Sequence, residues 1–295
     1  MKIVIVGGVA GGASAAARLR RLDENAEIIM FERGEHISFA NCGLPYYIGG
    51  EITEKSKLTL QTPESFNSRF NVDVRVFNEV IGIHPEKKTV VVKGQGAVDG
   101  RCYEESYDKI ILAPGAEPIK PAINGIDDPR IFTLRNIPDT YKIKGYMDHN
   151  TPKSAVVVGG GYIGVEMAEN LKLAGLDVTI VERADHVIAP IDYDMACDVH
   201  RYLLAQGVKL ELSNGVTDIE SRESELVVQL KNGEIKTDMI IMCVGVRPES
   251  KLAKEAGLKV NSQGSIIVNE HMQTSNQDIY AVGDAVEITD FITGN

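Results

Sequence analysis

Long apolar runs are missing from this 295-residue sequence. A membrane-spanning helix needs about 20 consecutive apolar residues, and nothing here approaches that. The apolar start, Lys2 to Val6, is too short for a secretory signal and leads into glycines, so it reads as a buried strand. Positive charge is also in short supply. Lys and Arg number 31 against 42 Asp and Glu, a formal net charge of −11. Such a surface lacks the basic footprint that nucleic acid requires, although a local basic pocket for an anionic ligand is compatible with it. Paired cysteines are absent as well. Those at 42, 102, 197 and 243 show neither disulfide-framework nor metal-site spacing. A reducing, cytoplasmic compartment is the expectation, with Cys102, Cys197 and Cys243 buried as small apolar residues. The six histidines are scattered, so no metal site is expected.

What the chain does have, it has twice. Lys2 to Val6 is followed by Gly7-Gly8-Val9-Ala10-Gly11-Gly12 and an alanine- and arginine-rich helix; a second strand, Ala26 to Phe31, ends at Glu32. Much later Ser154 to Val158 is followed by Gly159-Gly160-Gly161-Tyr162-Ile163-Gly164, a helix to about Ala174, and a strand from Asp177 to Val181 ending at Glu182. Each is the start of a βαβ unit with an acidic residue a little over twenty positions past its first glycine. The echo continues in Val72–Val80 against Val208–Val216, then in polar-punctuated strands, and closes on Lys109–Gly115 against Met239–Gly245. This is one nucleotide-binding unit present in two copies.

The copies differ in one place. Glu32 and Val72 are 40 positions apart, but Glu182 and Val208 only 26. The first copy therefore carries about fourteen extra residues, where a scaffold of this kind places its chemistry. That stretch contains Ser38-Phe39-Ala40-Asn41-Cys42-Gly43-Leu44-Pro45-Tyr46-Tyr47. Two nucleotide cofactors can hand electrons to one another, and a single thiol can receive them. No second cysteine lies nearby, so Cys42 must cycle through a disulfide with a small molecule or through an oxidised sulfur such as a sulfenic acid. Gly43-Leu44-Pro45 reads as a helix start, since proline is tolerated in the first turn. Cys42 at that N-terminus would be favoured as a thiolate; the alternative is a buried, inert cysteine.

The second fingerprint is complete at Gly159, Gly161 and Gly164: tight turn, close approach to a pyrophosphate, helix packed on strand. Glu182 can accept hydrogen bonds from an adenosine ribose and would repel a 2′-phosphate, which favours NADH over NADPH. In the first fingerprint Gly7 and Gly12 fit but Val9 replaces the middle glycine; Gly11 relieves crowding there. Near the end, the strand leading into Ala281-Val282-Gly283-Asp284 can place a carboxylate against a ribityl hydroxyl, or simply end in an ordinary turn.

Together these residues resemble the FAD- and NAD(P)-dependent pyridine nucleotide–disulfide oxidoreductases, over the whole chain. The matching segments are both fingerprints, Ala113-Pro114-Gly115, Gly245-Val246-Arg247-Pro248 and the Ala-Val-Gly-Asp ending at Asp284. The cysteine motif resembles the single-cysteine branch of coenzyme A–disulfide reductases and related NADH oxidases and persulfide reductases. The resemblance implies an α/β fold of two three-layer, Rossmann-like nucleotide-binding domains. The FAD-binding domain would be 1–115 with 246–295, and the NAD(P)H-binding domain, 116–245, is inserted in it. Gly7, Gly8, Ala10, Gly11, Gly12, Glu32, Arg33, Ala113, Gly115 and Asp284 would hold FAD. Gly159, Gly161, Tyr162, Ile163, Gly164, Glu166, Glu182 and Gly245 would hold NADH, with Tyr162 covering the flavin face and Glu166 near the nicotinamide. Cys42 would be the redox-active thiol, with Asn41 and Ser38 near the sulfur.

An enzyme is implied, passing electrons from NADH through FAD to Cys42 and on to a small-molecule disulfide such as coenzyme A disulfide, or to a persulfide. Arg18 and Arg21 on the first helix, and Arg69 after the inserted segment, are candidates for the anionic end of coenzyme A. NADH oxidase chemistry through a Cys42 sulfenate is a rival; in the peroxidases and water-forming oxidases a histidine stands near the sulfur where this chain has Ala10. A thiol-independent flavoprotein electron carrier or redox sensor is another. The chain stops at Asn295, soon after Asp284, so the C-terminal interface domain of the family is expected to be absent. Full-length members are expected to be homodimers.

Overall fold

The computed structural model describes residues 1–94, 102–290, 292 and 294. Its contacts divide into two compact units: Met1–Phe39, Thr59–Glu117 and Arg247–Asn295 form the first, and Ala40–Leu58 with Pro118–Val246 the second.

In the first unit, short stretches that are mostly apolar become strands of a parallel sheet whose central members are largely buried on both sides. Its order is Ile279–Ala281, Lys109–Leu112, Lys2–Val6, Glu27–Phe31, Asp73–Arg75. Because successive side chains point to opposite faces, Lys2–Val6 feeds two cores. Ile3 and Ile5 pack with Ala13 and Ala16 of helix Ala10–Leu22 and with Phe66 of helix Pro63–Phe70. Val4 packs with Val80, Val90 and Val92 of an antiparallel meander, Asn78–His84, Thr89–Gly94 and Cys102–Ser106. Helices, sheet and meander are thus three layers.

The second unit repeats this. Its parallel sheet runs Lys209–Glu211, Asp177–Val181, Ser154–Val158, Met239–Met242, Ile131–Phe132. The meander Val216–Ser221, Leu226–Leu230, Glu234–Thr237 packs Ile219, Leu226 and Val228 against Val156, Val158 and Ile240. The copies match down to a shift of register in the first meander strand, at Val80/Gly82 in one and Val216/Asp218 in the other. The fifth strand differs in origin. Ile279–Ala281 comes from the end of the chain, whereas Ile131–Phe132 precedes the first glycine loop of its unit. The α/β fold and the insertion of one copy in the other are as the sequence leads one to expect.

Two expectations need correction. The segment 40–58 was expected within the first domain, 1–115, but it packs with the second unit. Its short helix Leu44–Gly49 buries Leu44, Pro45, Tyr47 and Ile48. The Tyr47 ring meets Tyr141 edge-on at 5.9 Å, and Lys144 Nζ donates to the Ile48 carbonyl at 3.3 Å, both on helix Ile137–Asn150. The cysteines expected to be buried are also more open than that. Cys102 is exposed on an outer strand of the first meander, where alternate residues face away from the core; Cys197 and Cys243 are half-buried. Among the described residues no helix is long and apolar enough to cross a membrane.

Arg20 lies between Arg18 and Arg21 and does a different job from either. Its guanidinium donates to the carbonyls of Phe70, Asp23, Glu24, Ala26 and Asn71, at 2.6–3.2 Å. It joins the end of the first helix, the following turn and the end of helix Pro63–Phe70. Replacing Arg20 by Ala should destabilise the protein by about 2 kcal/mol, and Arg20→Lys should not restore it, since an ammonium cannot reproduce the fork. Arg18→Ala, at an exposed position, should change stability by no more than about 0.5 kcal/mol. Urea midpoints of the three variants check this.

Candidate functional site

Each glycine loop is set by contacts that leave no room for a side chain. Gly7 has φ +101°, and a Cβ there would lie 2.1 Å from the Ala113 carbonyl oxygen; one on Gly12 would lie 1.8 Å from the Gly7 oxygen. The second copy repeats the contacts: Gly159 has φ +105° and would meet the Cys243 oxygen at 2.3 Å, while Gly164 would meet the Gly159 oxygen at 1.9 Å. Helices Ala10–Leu22 and Tyr162–Leu173 start within these loops. At the middle position the copies diverge as the sequence says. Nothing lies within 4 Å of where a Cβ of Gly161 would stand, so the backbone is open to a phosphate; Val9 fills the matching place in the first copy.

The acidic residue after the second strand closes each loop. Glu32 accepts hydrogen bonds from the N–H groups of Gly8, at 2.9 Å, and Gly34, at 2.8 Å. Glu182 accepts from Gly160, at 2.6 Å, and Ala184, at 2.8 Å. Every carboxylate oxygen has a second lone pair beyond the one these bonds use. Gly160 was not singled out from the sequence, although its alignment with Gly8 was a usable signal.

A cleft of about 560 Å³ opens beside the second loop. Of the residues expected to hold a dinucleotide, Gly159, Gly161, Tyr162, Glu182 and Gly245 line it. Ile163 is exposed beside Tyr162, itself 60% exposed, and Gly164 sits behind, packing helix on loop. Glu166 is one turn further along and half-buried; burial first, and then the Glu169 charge, push its carboxyl above the usual carboxylate range. Arg183, His186 and Cys243 also line the cleft and were not anticipated. Asp185 Oδ1, 2.6 Å from His186 Nδ1, favours the protonated imidazole and raises its pKa. Cys243 keeps some surface open to the cleft, yet enough protein surrounds the sulfur that burial pushes its thiol up to about 12. It is no nucleophile near neutral pH.

In the first unit, the Ala113 N–H donates to the Val6 carbonyl at 2.8 Å, which holds the Ala113 carbonyl against Gly7. Gly115, φ +71°, follows it. Gly8 is buried, Ala10 is exposed and Gly11 is half-buried at the loop. Asp284 is exposed just past strand Ile279–Ala281. Arg33 is bound through both nitrogens to Glu249, at 2.6 and 2.8 Å. The matching residue, Arg183, has no such carboxylate partner among the described residues. Arg18, Arg21 and Arg69 are exposed. Arg21 Nε donates to the Ala17 carbonyl at 3.2 Å, and the Arg69 guanidinium stands 5.2 Å from the Phe70 ring centre.

The thiol belongs to the second unit. Asn41, Cys42 and Gly43 form one tight helical turn, and helix Leu44–Gly49 follows with Pro45 in its first turn. Cys42 is exposed, so it is not the buried cysteine of the alternative. Ser38 belongs to the first unit; it has φ +45°, and its N–H donates to the Gly8 carbonyl at 2.9 Å. Ile188 repeats that geometry against Gly160, with φ +54° and a bond of 2.7 Å. The inserted residues therefore lie after Ser38, because Ser38–Arg75 spans 37 positions and Ile188–Glu211 only 23. Tyr46, one turn after Cys42, is a further residue that the sequence did not flag. The Glu166 charge, then burial, Glu169, Glu51 and Cys42 raise the pKa of its hydroxyl.

Comparison with known proteins agrees with this arrangement. The family model described as pyridine nucleotide-disulphide oxidoreductase matches residues 1–293. A protein of Methanocaldococcus jannaschii named NADH oxidase is 39% identical over 295 residues, covering 100% of this chain and 65% of that one. A coenzyme A disulfide reductase of Staphylococcus haemolyticus is 38% identical over 291 residues, covering 98% of this chain and 64% of that one. The crystal structure of reduced CoADR-RHD from Bacillus anthracis superposes with a TM-score of 0.96 at 55% identity, over 100% of this chain and 52% of that one. The chain thus spans between half and two thirds of the length of these proteins. It belongs to the pyridine nucleotide-disulphide oxidoreductase family.

Proposed function

We propose that this chain is a flavin-dependent oxidoreductase that carries electrons from NADH to Cys42 and on to a small-molecule disulfide. Coenzyme A disulfide is the first choice of acceptor and a persulfide the second. The observation that carries this reading is the exposed, lone thiol of Cys42, on a segment that one copy of a duplicated nucleotide unit has and the other lacks. The coenzyme A disulfide reductase of S. haemolyticus, 38% identical, supports it.

FAD is assigned to 1–115 with 246–295, and NAD(P)H to 116–245. The first loop fits such a group: its glycines admit no side chain against Ala113, Glu32 keeps free lone pairs for a ribose, and Asp284 is exposed past a strand end. When bound, FAD supplies a two-electron relay between dinucleotide and sulfur. The protein's own step is at Cys42. Its thiolate attacks one sulfur of the disulfide, the S–S bond breaks, one thiolate leaves, and a mixed disulfide forms. Two electrons from NADH and one proton then release the second thiol and restore the Cys42 thiolate. Asn41 and Ser38 serve the sulfur, and Tyr162 and Glu166 the nicotinamide end. Arg18, Arg21 and Arg69 are the available cations for the phosphates of coenzyme A. The M. jannaschii relative named NADH oxidase favours the rival use of the same thiol, through a sulfenate. Ala10 offers no side-chain acid or base for that chemistry.

Glu182 makes NADH the preferred donor. A ribose 2′-hydroxyl can donate to its carboxylate, whereas a 2′-phosphate brings a like charge to it.

Two outcomes test the proposal. Cys42→Ser should abolish reduction of coenzyme A disulfide while NADH-to-dye transfer stays within about twofold of the parent. Surviving disulfide turnover would rule out the thiol mechanism. Steady-state kcat/KM should favour NADH over NADPH, and Glu182→Gln should shrink that preference by roughly tenfold, the effect of removing about 1.4 kcal/mol of charge repulsion. An unchanged ratio would show that Glu182 does not discriminate.

A further inference from the structure

Helix Tyr162–Leu173 has two neighbours of chemical interest, one at each end, and both belong to the second unit. At its start is the glycine loop of the dinucleotide cleft, with Gly161 as the cap and Tyr162 lining the cleft. Eight residues on, about 12 Å along the axis at about 1.5 Å per residue, Asn170 meets the helix that follows Cys42. Asn170 is fully buried. Its Nδ2 donates to the Glu166 carbonyl at 2.8 Å, which fixes the orientation of the amide, because the reverse would set two acceptors against each other. Its Oδ1 is buried without a hydrogen-bond partner, and such a group in a native fold calls for an explanation.

The oxygen faces Gly49, the last residue of helix Leu44–Gly49. A Cβ on Gly49 would lie 2.5 Å from Asn170 Oδ1, 2.9 Å from Asn170 Cβ and 3.0 Å from the Asn170 carbonyl oxygen. Only a Cα hydrogen fits there, a weak C–H···O contact at best. The seat is therefore close and steric, and sensitive to small shifts of either helix, since packed contacts of this kind transmit displacement rather than absorb it. The other end of the short helix is equally constrained. The Gly43 N–H donates to the Ala40 carbonyl at 2.9 Å and the Ala40 N–H to the Leu58 carbonyl at 2.8 Å. Cys42 lies between these two fixed points. Tyr46, on the same short helix, lies in the field of Glu166 on the long one.

We infer that Asn170 is a positioning residue through which dinucleotide binding at the start of helix Tyr162–Leu173 sets the reactivity of Cys42, by way of the Gly49 seat. The inference rests on the dinucleotide reading of the second glycine loop. It adds that the thiol responds to an occupied cleft before any electron moves. The coupling is reciprocal at equilibrium: whatever shifts the Cys42 segment between its arrangements also shifts dinucleotide affinity.

The test uses ADP-ribose, which fills the adenosine and pyrophosphate part of the cleft but has no nicotinamide to shield the sulfur or transfer hydride. The rate of Cys42 alkylation by iodoacetamide is followed by peptide mass spectrometry in the whole chain, with Cys102, exposed in the other unit, as internal reference. Saturating ADP-ribose should change the Cys42 rate by about fivefold and leave the Cys102 rate unchanged. In Asn170→Ala the bound-to-free rate ratio should fall to near unity while ADP-ribose Kd stays within about twofold of the parent. Gly49→Ala, which disturbs the seat from the other side, should do the same. If ADP-ribose binds the parent and the Cys42 rate does not respond, the inference is wrong and the dinucleotide reading stands. It is equally wrong if Asn170→Ala raises the bound and free rates by one common factor, because a merely structural loosening does that. Failure of ADP-ribose to bind at all would overturn the dinucleotide reading and the inference together.

Discussion

One carboxylate closing one glycine loop is the interaction on which each half of this protein depends. The loop must turn sharply at a glycine pressed against a neighbouring carbonyl, and it must leave N–H groups free for a phosphate. Left alone, such a loop has many conformations, since glycine gives up more freedom than any other residue on ordering. Glu32 and Glu182 remove that freedom by accepting two backbone N–H groups each, one from the loop and one from the turn after the second strand. Each loop is thus held by the protein's own groups, which is the basis of preorganisation.

Much of this was legible in the sequence because it is local. Gly7 and Gly12, Gly159 and Gly164, and the acidic ends of the second strands mark βαβ units by residue type and spacing alone. Repetition made the weak first copy, with Val9 in the place of a glycine, as readable as the second. What sequence could not show is where residues far apart in the chain meet. Nothing about Arg20 distinguishes it from Arg18 or Arg21 until five carbonyls converge on it. Gly49 and Asn170 are 121 positions apart, and neither type carries a warning of the other. The placement of 40–58 with the second unit was missed for the same reason. A chain reading assigns a segment to its neighbours in sequence, but Tyr47, Ile48 and Gly49 are held by Tyr141, Lys144 and Asn170. Cys102 was misjudged by a rule about residue type, where its position on an outer strand decides its exposure.

The duplication turns comparison within one chain into an experiment of its own. The copies agree in the loops, in the left-handed turns at Ser38 and Ile188, and in the shifted register of both meanders. Where they differ, they offer different side chains. Arg33 is neutralised by Glu249, and Arg183 is left at the edge of a cleft. One copy goes from Ile188 to Glu211 of its edge strand in 23 positions, while the other takes 37 from Ser38 to Arg75 and carries a thiol on the way.

The discontinuity of the first unit has a consequence for biosynthesis. A chain made from its N-terminus has all five strands of the second sheet once Met242 has emerged, but it lacks Ile279–Ala281 of the first sheet until some forty residues later. The inserted unit can therefore mature before the unit that surrounds it. The segment bearing Cys42 is made early and must wait for a seat that is not synthesised until Asn170, 128 residues later. At about 5–20 residues per second that delay is on the order of 10 s. For that interval the segment has only its contacts with Leu58, Tyr141 and Lys144 to hold it.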